Sequence, residues 1–187
     1  MNILVITDGL EPLLHLTVVG LADRGHQVRV VGARSPGELD PVDRFRLGPS
    51  VRVSGGEGGG LLRRTGRGLS GIGRSAAVDV GALRAVASVT ARTHGRGELF
   101  RRHMSWYLPV LGERPDVVYI EAANVAARFG PTLDHLGPKV VMCTGSDVRI
   151  LPYIHPRWAR VLPPVFARTA RVLCRSEDLR QWALRSG

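Results

Sequence analysis

The constraint that most narrows the fold lies at the start of the chain. Asn2-Ile3-Leu4-Val5-Ile6-Thr7 is a short run, apolar over its centre and rich in β-branched residues, closed off by Asp8-Gly9 and Pro12. A strand with one wet face alternates polar and apolar residues. This run does not alternate, so it reads as a strand buried on both faces, the pattern of a parallel sheet between layers of helix. From Leu13 through Leu14, Leu16, Val19 and Leu21 to Ala22 the apolar spacing turns helical. Arg24-Gly25 supplies a basic last turn and a glycine stop, and Gln27 to Val31 returns to strand. Strand, helix and strand within some thirty residues make the right-handed crossover unit of a doubly wound sheet.

The same alternation recurs further on. Ser35 to Pro49 shows no period, and Val51-Arg52-Val53 reads as a short strand. From Gly55 to Gly73, and on to about residue 75, arginines stand among glycines, which predicts a flexible surface loop. Helix formers occupy Ala76 to Leu111, with a break at Gly95 to Gly97. Asp116 to Ile120 is a strand, Ala122 to Phe129 a helix running toward Gly130-Pro131, and Lys139 to Cys143 another strand. Pro156 to Ala170 reads as a helix that Pro163-Pro164 interrupts or kinks, followed by a strand at Arg171 to Cys174. Ser176-Glu177-Asp178 caps a last helix through Leu184. The expectation is one α/β, Rossmann-like domain over residues 1–187, a doubly wound parallel sheet covered on both faces.

Composition removes several function classes. With 44% apolar and 22% charged residues, the chain is neither disordered nor fibrous. No run approaches the roughly 18 apolar residues of a membrane span, and Met1 is followed by no basic flank or signal-peptide layout, so a cytoplasmic protein is expected. Cys143 and Cys174 lack the spacing of a zinc or CxxC site and read as reduced thiols; no metal and no cofactor are expected. The net charge of +10 would attract phosphates, nucleic acid or an anionic bilayer. All but one of the 26 basic residues are arginine, a skew that a GC-rich genome produces unaided, and 5% aromatics leave few platforms for stacking bases. Nucleic acid is therefore disfavoured. Arg63, Arg64, Arg67 and Arg74 lack apolar anchors on an amphipathic helix, so a solvated loop is favoured over a patch for anionic lipid.

Ligands of open parallel sheets bind beyond the carboxyl ends of the strands, where backbone amides converge. That rule selects three turns: Thr7, Asp8, Gly9, Glu11 and His15; Glu121 and Asn124; and Thr144, Gly145, Ser146, Asp147 and Arg149. A dinucleotide turn needs three glycines, and Gly9 stands alone. Gly68 to Ser75 mimics a P-loop with arginine in place of lysine, but no strand leads into it. Asp147 either orients an acceptor hydroxyl or accepts amides of its own turn, and Glu121 and Asn124 either meet sugar hydroxyls or, for Glu121, cap the next helix. His15 reads as packed or solvated ahead of a phosphate or acceptor contact. His26 falls at the amino edge and reads as structural.

Asn2 to Thr7, Gly25-His26-Gln27-Val28, Arg114-Pro115-Asp116-Val117-Val118, Thr144-Gly145-Ser146-Asp147-Val148 and Val172 to Glu177 occur in an order that resembles the N-terminal, acceptor-side domain of GT-B glycosyltransferases, in the large retaining family four. The resemblance spans nearly the whole chain, least over Gly55 to Gly73. It implies a Rossmann-like half that binds a sugar or lipid-linked acceptor, with contact to a membrane surface. Asp8, Gly9 and the Thr144 to Asp147 turn would line the cleft, Asp147 would be the candidate catalytic residue, and Glu121 would help select the acceptor. Where the family often has a glycine pair and a histidine, this chain has Asp8-Gly9-Leu10-Glu11-Pro12 and Thr144. The family's sugar nucleotide sits in a second domain, which these residues do not include. The expectation is thus an acceptor half, inactive until a donor-domain partner chain completes the cleft; the rival is a non-catalytic Rossmann-like binding or interaction module.

Overall fold

A computed structural model describes residues 1–8, 12–32, 47–55, 80–94, 97, 104, 107, 110, 114–133 and 135–186. Six strands, β1 (Asn2–Thr7), β2 (Gln27–Gly32), β3 (Val51–Gly55), β4 (Val117–Ile120), β5 (Lys139–Cys143) and β6 (Arg171–Cys174), form one sheet in the order β3-β2-β1-β4-β5-β6. Every pairing is parallel. The chain winds outward from β1 through β2 to β3, returns across the sheet to β4, and winds outward again. The winding direction therefore reverses between β1 and β4. The fold is the expected Rossmann-like α/β domain, and that reversal is the place where such sheets open a crevice.

The helices are α1 (Pro12–Asp23), α2 (Val80–His94), α3 (Ala123–Leu133), α4 (Leu151–Ile154), α5 (Arg157–Ala167) and α6 (Glu177–Arg185). Strand residues alternate between two cores. Leu4, Ile6, Val118, Ile120, Val141 and Cys143 face the larger one, with Val86 of α2, Phe129 of α3, Leu162 of α5 and Ala183 of α6. Met104, Tyr107 and Val110, buried at three-residue intervals, belong to it, and the Tyr107 and Phe129 rings meet edge to face at 5.6 Å. Ile3, Val5, Val28, Val30 and Tyr119 face the other way, onto Leu14 and Val18 of α1. On that second face cover is uneven. Helices flank both faces, and on this one the cover thins toward the β6 edge: Val140 and Met142 are half-buried and Leu173 of β6 is 41% exposed. Winding from β1 to β3 places α1 on this side, whereas winding from β4 to β6 places α3 and α5 on the other.

Local chemistry explains most boundaries. Gly25 has φ +79° and closes α1: its amide donates to the Ala22 carbonyl and the His26 amide to that of Leu21, a paired C-terminal lock that only glycine enters without strain. The expected stop at Gly130-Pro131 and the interruption that was one alternative at Pro163-Pro164 did not occur. Helix α3 runs through Gly130-Pro131. The residue before a proline resists helical geometry because its Cβ meets the ring; glycine has none, and burial of Phe129 holds the turn in place. The Tyr107 hydroxyl donates to the Arg128 carbonyl there, at 2.6 Å. Helix α5 likewise continues through Pro163-Pro164. The carbonyls those prolines leave without donors belong to Ala159 and Arg160, both exposed and left to water, while Leu162 and Phe166 stay in the core. The Gly/Arg loop expected from Gly55 to Gly73 lies, from residue 56 onward, outside the described residues.

Ile6 is fully buried on a central strand, and Leu16 is 66% exposed on α1. Ile6→Ala is expected to destabilise by about 2–5 kcal/mol and Leu16→Ala by less than about 0.5 kcal/mol. Urea denaturation followed by circular dichroism measures both.

Candidate functional site

Four neighbouring strands end along one rim: β1 at Thr7, β4 at Ile120, β5 at Cys143 and β6 at Cys174. The residue after each is polar: Asp8, Glu121, Thr144 and Arg175. Parallel pairing sends all four chain exits the same way, so residues from 23 to 113 positions apart become neighbours. The Glu121 amide donates to the Ile6 carbonyl at 3.0 Å and joins two of these exits directly.

Asp147 organises the turn after β5. It is 1% exposed, within a π-helical turn at Ser146–Ile150. Its Oδ2 accepts the Thr144 amide at 3.1 Å and, from a separate segment, the Ala123 amide at 3.0 Å. The first bond is local, as the turn-capping alternative anticipated. The second ties the turn to the N-terminus of α3, where the amides have no helical partners. Burial raises the carboxyl pKa, and hydrogen bonds from Thr144, Ala123 and Asn124 oppose that shift. Asp147 Oδ1 and Asn124 Oδ1 are both buried and accept no hydrogen bond of good geometry. Two orphan acceptors so close to one turn are uncommon, since buried polar atoms are nearly always paired.

Glu121 projects from the same sheet face as Tyr119, two residues before it, and is buried. Its Oε2 accepts the Tyr119 hydroxyl at 2.9 Å, and its Oε1 accepts Arg175 Nη2 at 3.1 Å, across the end of β5. Burial, then the charge and hydrogen bond of Glu121, push the Tyr119 phenol up against a smaller opposing effect of Arg175, so Tyr119 stays a donor. Glu121 thus does not cap the next helix. Asp8 pairs with Arg128 of α3 at 2.6 Å, both partly exposed. The Thr144 and Ser146 hydroxyls lie 2.9 Å apart, Ser146 being exposed.

The rim therefore gathers Asp8, Glu121, Asn124, Thr144, Gly145, Ser146 and Asp147. His15 stands half-buried in the first turn of α1, beyond the end of β1; Gly9 and Glu11 lie outside the described residues, as does the P-loop mimic at Gly68 to Ser75. Three contributors were missed: Tyr119, Arg128 and Arg175. Arg175 immediately follows β6, so the rule that picked the other turns would have found it had the last strand been included. Arg128 sits on a helix six residues into its run, and no local signal marks it. His26 is at the amino edge, as expected.

Cys143 and Cys174 are free and stand opposite each other in the β5–β6 register. Burial pushes the Cys143 thiol far up, which leaves it uncharged and a poor nucleophile. Among the described residues no group of three His, Cys, Asp or Glu is placed to hold a metal, and no helix is long and apolar enough to cross a membrane. No family model and no curated protein matches this chain.

Asp147 binds through an oxygen that asparagine also possesses, which separates its shape from its charge. Asp147→Ala is expected to cost about 2–4 kcal/mol by orphaning two amides, and Asp147→Asn less than about 1 kcal/mol. A raised folded-state pKa means the buried charge costs stability at neutral pH and the cost is relieved as the group protonates. Wild type should therefore gain on Asp147→Asn as pH falls through a pKa lying above the ordinary 3.8. Denaturant titrations at several pH values report the sign.

Proposed function

We propose that this chain is the acceptor-binding half of a nucleotide-sugar-dependent retaining glycosyltransferase, dependent on a donor domain for transfer. The observation that carries this reading is the rim itself: hydroxyls and carboxylates from three separated segments, Asp8, Glu121 and the Thr144–Ser146 turn, converge beside the winding reversal of a Rossmann-like sheet. Sugars are recognised by dense arrays of such groups. The motifs behind the resemblance fall where they would matter: Thr144 to Val148 makes the turn beyond β5, and Ser176-Glu177 starts α6 beyond β6, with the Ser176 side chain accepting the Leu179 amide.

In this reading Glu121 contacts the acceptor, its carboxylate oriented by Tyr119 and Arg175. Asp147 is a positioning residue, because at 1% exposure it meets a ligand only through the turn it holds. The acceptor is carried on a lipid. The π-helical turn that begins with Ser146 ends at Ile150, which with Tyr153 and Ile154 is largely exposed, and Arg149 and Arg185 flank the Trp182 ring alongside. Exposed aliphatic and aromatic side chains beside arginines suit a headgroup region. Catalysis by the rim alone is not expected, since transfer needs a second wall to exclude water and hold the diphosphate. The rival reading, a non-catalytic interaction module, draws on one observation, the exposed Leu173 at the β6 edge of the sheet.

Nuclear magnetic resonance titration separates the two. Octyl glucoside below its micellar concentration is expected to shift the amides of Thr144, Gly145, Ser146 and Glu121 in wild type. In Glu121→Gln the binding should weaken about tenfold with the fold unchanged. UDP-glucose is expected to cause no saturable shift. Saturable UDP-glucose binding, or octyl glucoside shifts confined to β6 around Leu173, would overturn the acceptor-half reading.

A further inference from the structure

The rim leaves both cysteines of the chain without a role. Cys143 ends β5, Cys174 ends β6, and the two are partners in the parallel register. Partners on adjacent strands stand about 4.8 Å apart at Cα with their side chains leaving the same face, inside the roughly 4.4–6.8 Å over which disulfides form. Each thiol also bears on the other. Burial raises both; beyond that, Cys174 raises Cys143 further, while Cys143 lowers Cys174, as does the Arg180 guanidinium.

The two thiols are not equivalent. Cys143 is fully buried, whereas Cys174 is half-buried on the outermost strand of the sheet, with the exposed Arg175 next in sequence. A small oxidant therefore meets Cys174 first, and the thiol standing opposite is the one placed to close a bond with the product.

We infer that Cys143 and Cys174 form a modification site, a dithiol that hydrogen peroxide converts to an intramolecular disulfide. The Cys174 thiolate attacks one peroxide oxygen, the O–O bond breaks, and the departing hydroxide takes up the proton that the thiol released, leaving a sulfenic acid and water. The Cys143 sulfur then attacks the sulfenic sulfur: the S–S bond forms as the S–O bond breaks, and the hydroxide leaves with the Cys143 proton as a second water. In sum, two thiols lose two electrons and two protons, and one hydrogen peroxide becomes two waters. Burial leaves little Cys143 thiolate, and fixed proximity offsets this, because the second step joins residues already paired in the sheet. The strand spacing exceeds the bridged Cβ separation of about 3.8 Å, so closure draws β6 toward β5. Strand β6 pairs on one side alone among the described residues and can yield, and the strain that remains keeps the bond readily reducible. Thr144 and Arg175 come next in sequence, so closure moves the two chain exits that meet Asp147 and Glu121. Disulfide formation is independent of the acceptor-half reading; an effect on acceptor binding rests on it.

Intact-mass spectrometry of the full chain tests the site, after hydrogen peroxide treatment and trapping of remaining thiols with N-ethylmaleimide under denaturing conditions. Wild type is expected to become lighter by two hydrogens, to lose both alkylatable thiols together, to migrate as a single chain on a non-reducing denaturing gel, and to recover with dithiothreitol. Cys143→Ser is expected to stop at a Cys174 sulfenic acid that dimedone captures, and Cys174→Ser to leave Cys143 reacting at least about tenfold more slowly than Cys174 does in wild type. The wild-type result decides the pairing whether or not either variant folds. Oxidation of Cys174 to sulfinic acid with Cys143 still alkylatable, or chains joined to one another through Cys174, would overturn the site. Reaction of Cys143 at the wild-type rate in Cys174→Ser would overturn the order of attack.

Discussion

The Asp147 carboxylate accepts amides from Thr144 and Ala123, and through them fixes the end of β5 against the start of α3. Parallel pairing alone brings strand ends to one edge; it does not decide how the turns beyond them are arranged. That arrangement depends on a buried charge whose cost is offset by donors from two segments, and it is exacting because burial and hydrogen bonding pull its pKa in opposite directions. The π-helical turn follows from the same bond. A side chain that must reach back to residue 144 and across to residue 123 leaves the chain one wide turn before α4 begins.

Around that point, two ion pairs set the outer shape of the rim. Arg175 spans from β6 over the end of β5 to Glu121, and Arg128 reaches from α3 to Asp8. The carboxylates are thereby oriented before any ligand arrives. Preorganisation of this kind removes the entropic cost of freezing free side chains from any binding at the rim.

The fold was legible because its signals are short-range. Asn2 to Thr7, Gln27 to Val31 and Lys139 to Cys143 are short runs dominated by β-branched and other apolar residues that read as strands, and Gly25 and Ser176 mark helix ends through geometry a few residues long. Errors arose where tertiary packing outweighed a local rule. Proline should have stopped α3 at Pro131 and disturbed α5 at Pro163-Pro164, but Phe129, Leu162 and Phe166 hold those helices against the core. The site was half legible. Three turns could be selected because each follows a recognisable strand, yet the partners that fix them, Ala123 for Asp147, Arg175 for Glu121 and Arg128 for Asp8, lie 24, 54 and 120 residues away and leave no trace in spacing.

Amide hydrogen exchange at Thr144 and Ala123 in the wild-type protein reads the Asp147 linkage most directly. If the carboxylate holds the rim as described, both amides exchange orders of magnitude more slowly than unstructured references, and Asp147→Ala accelerates the two together while Val5 and Ile6 in β1 keep their protection. Exchange of both wild-type amides at unprotected rates would contradict the account, because a rim that opens freely provides no fixed wall for a ligand.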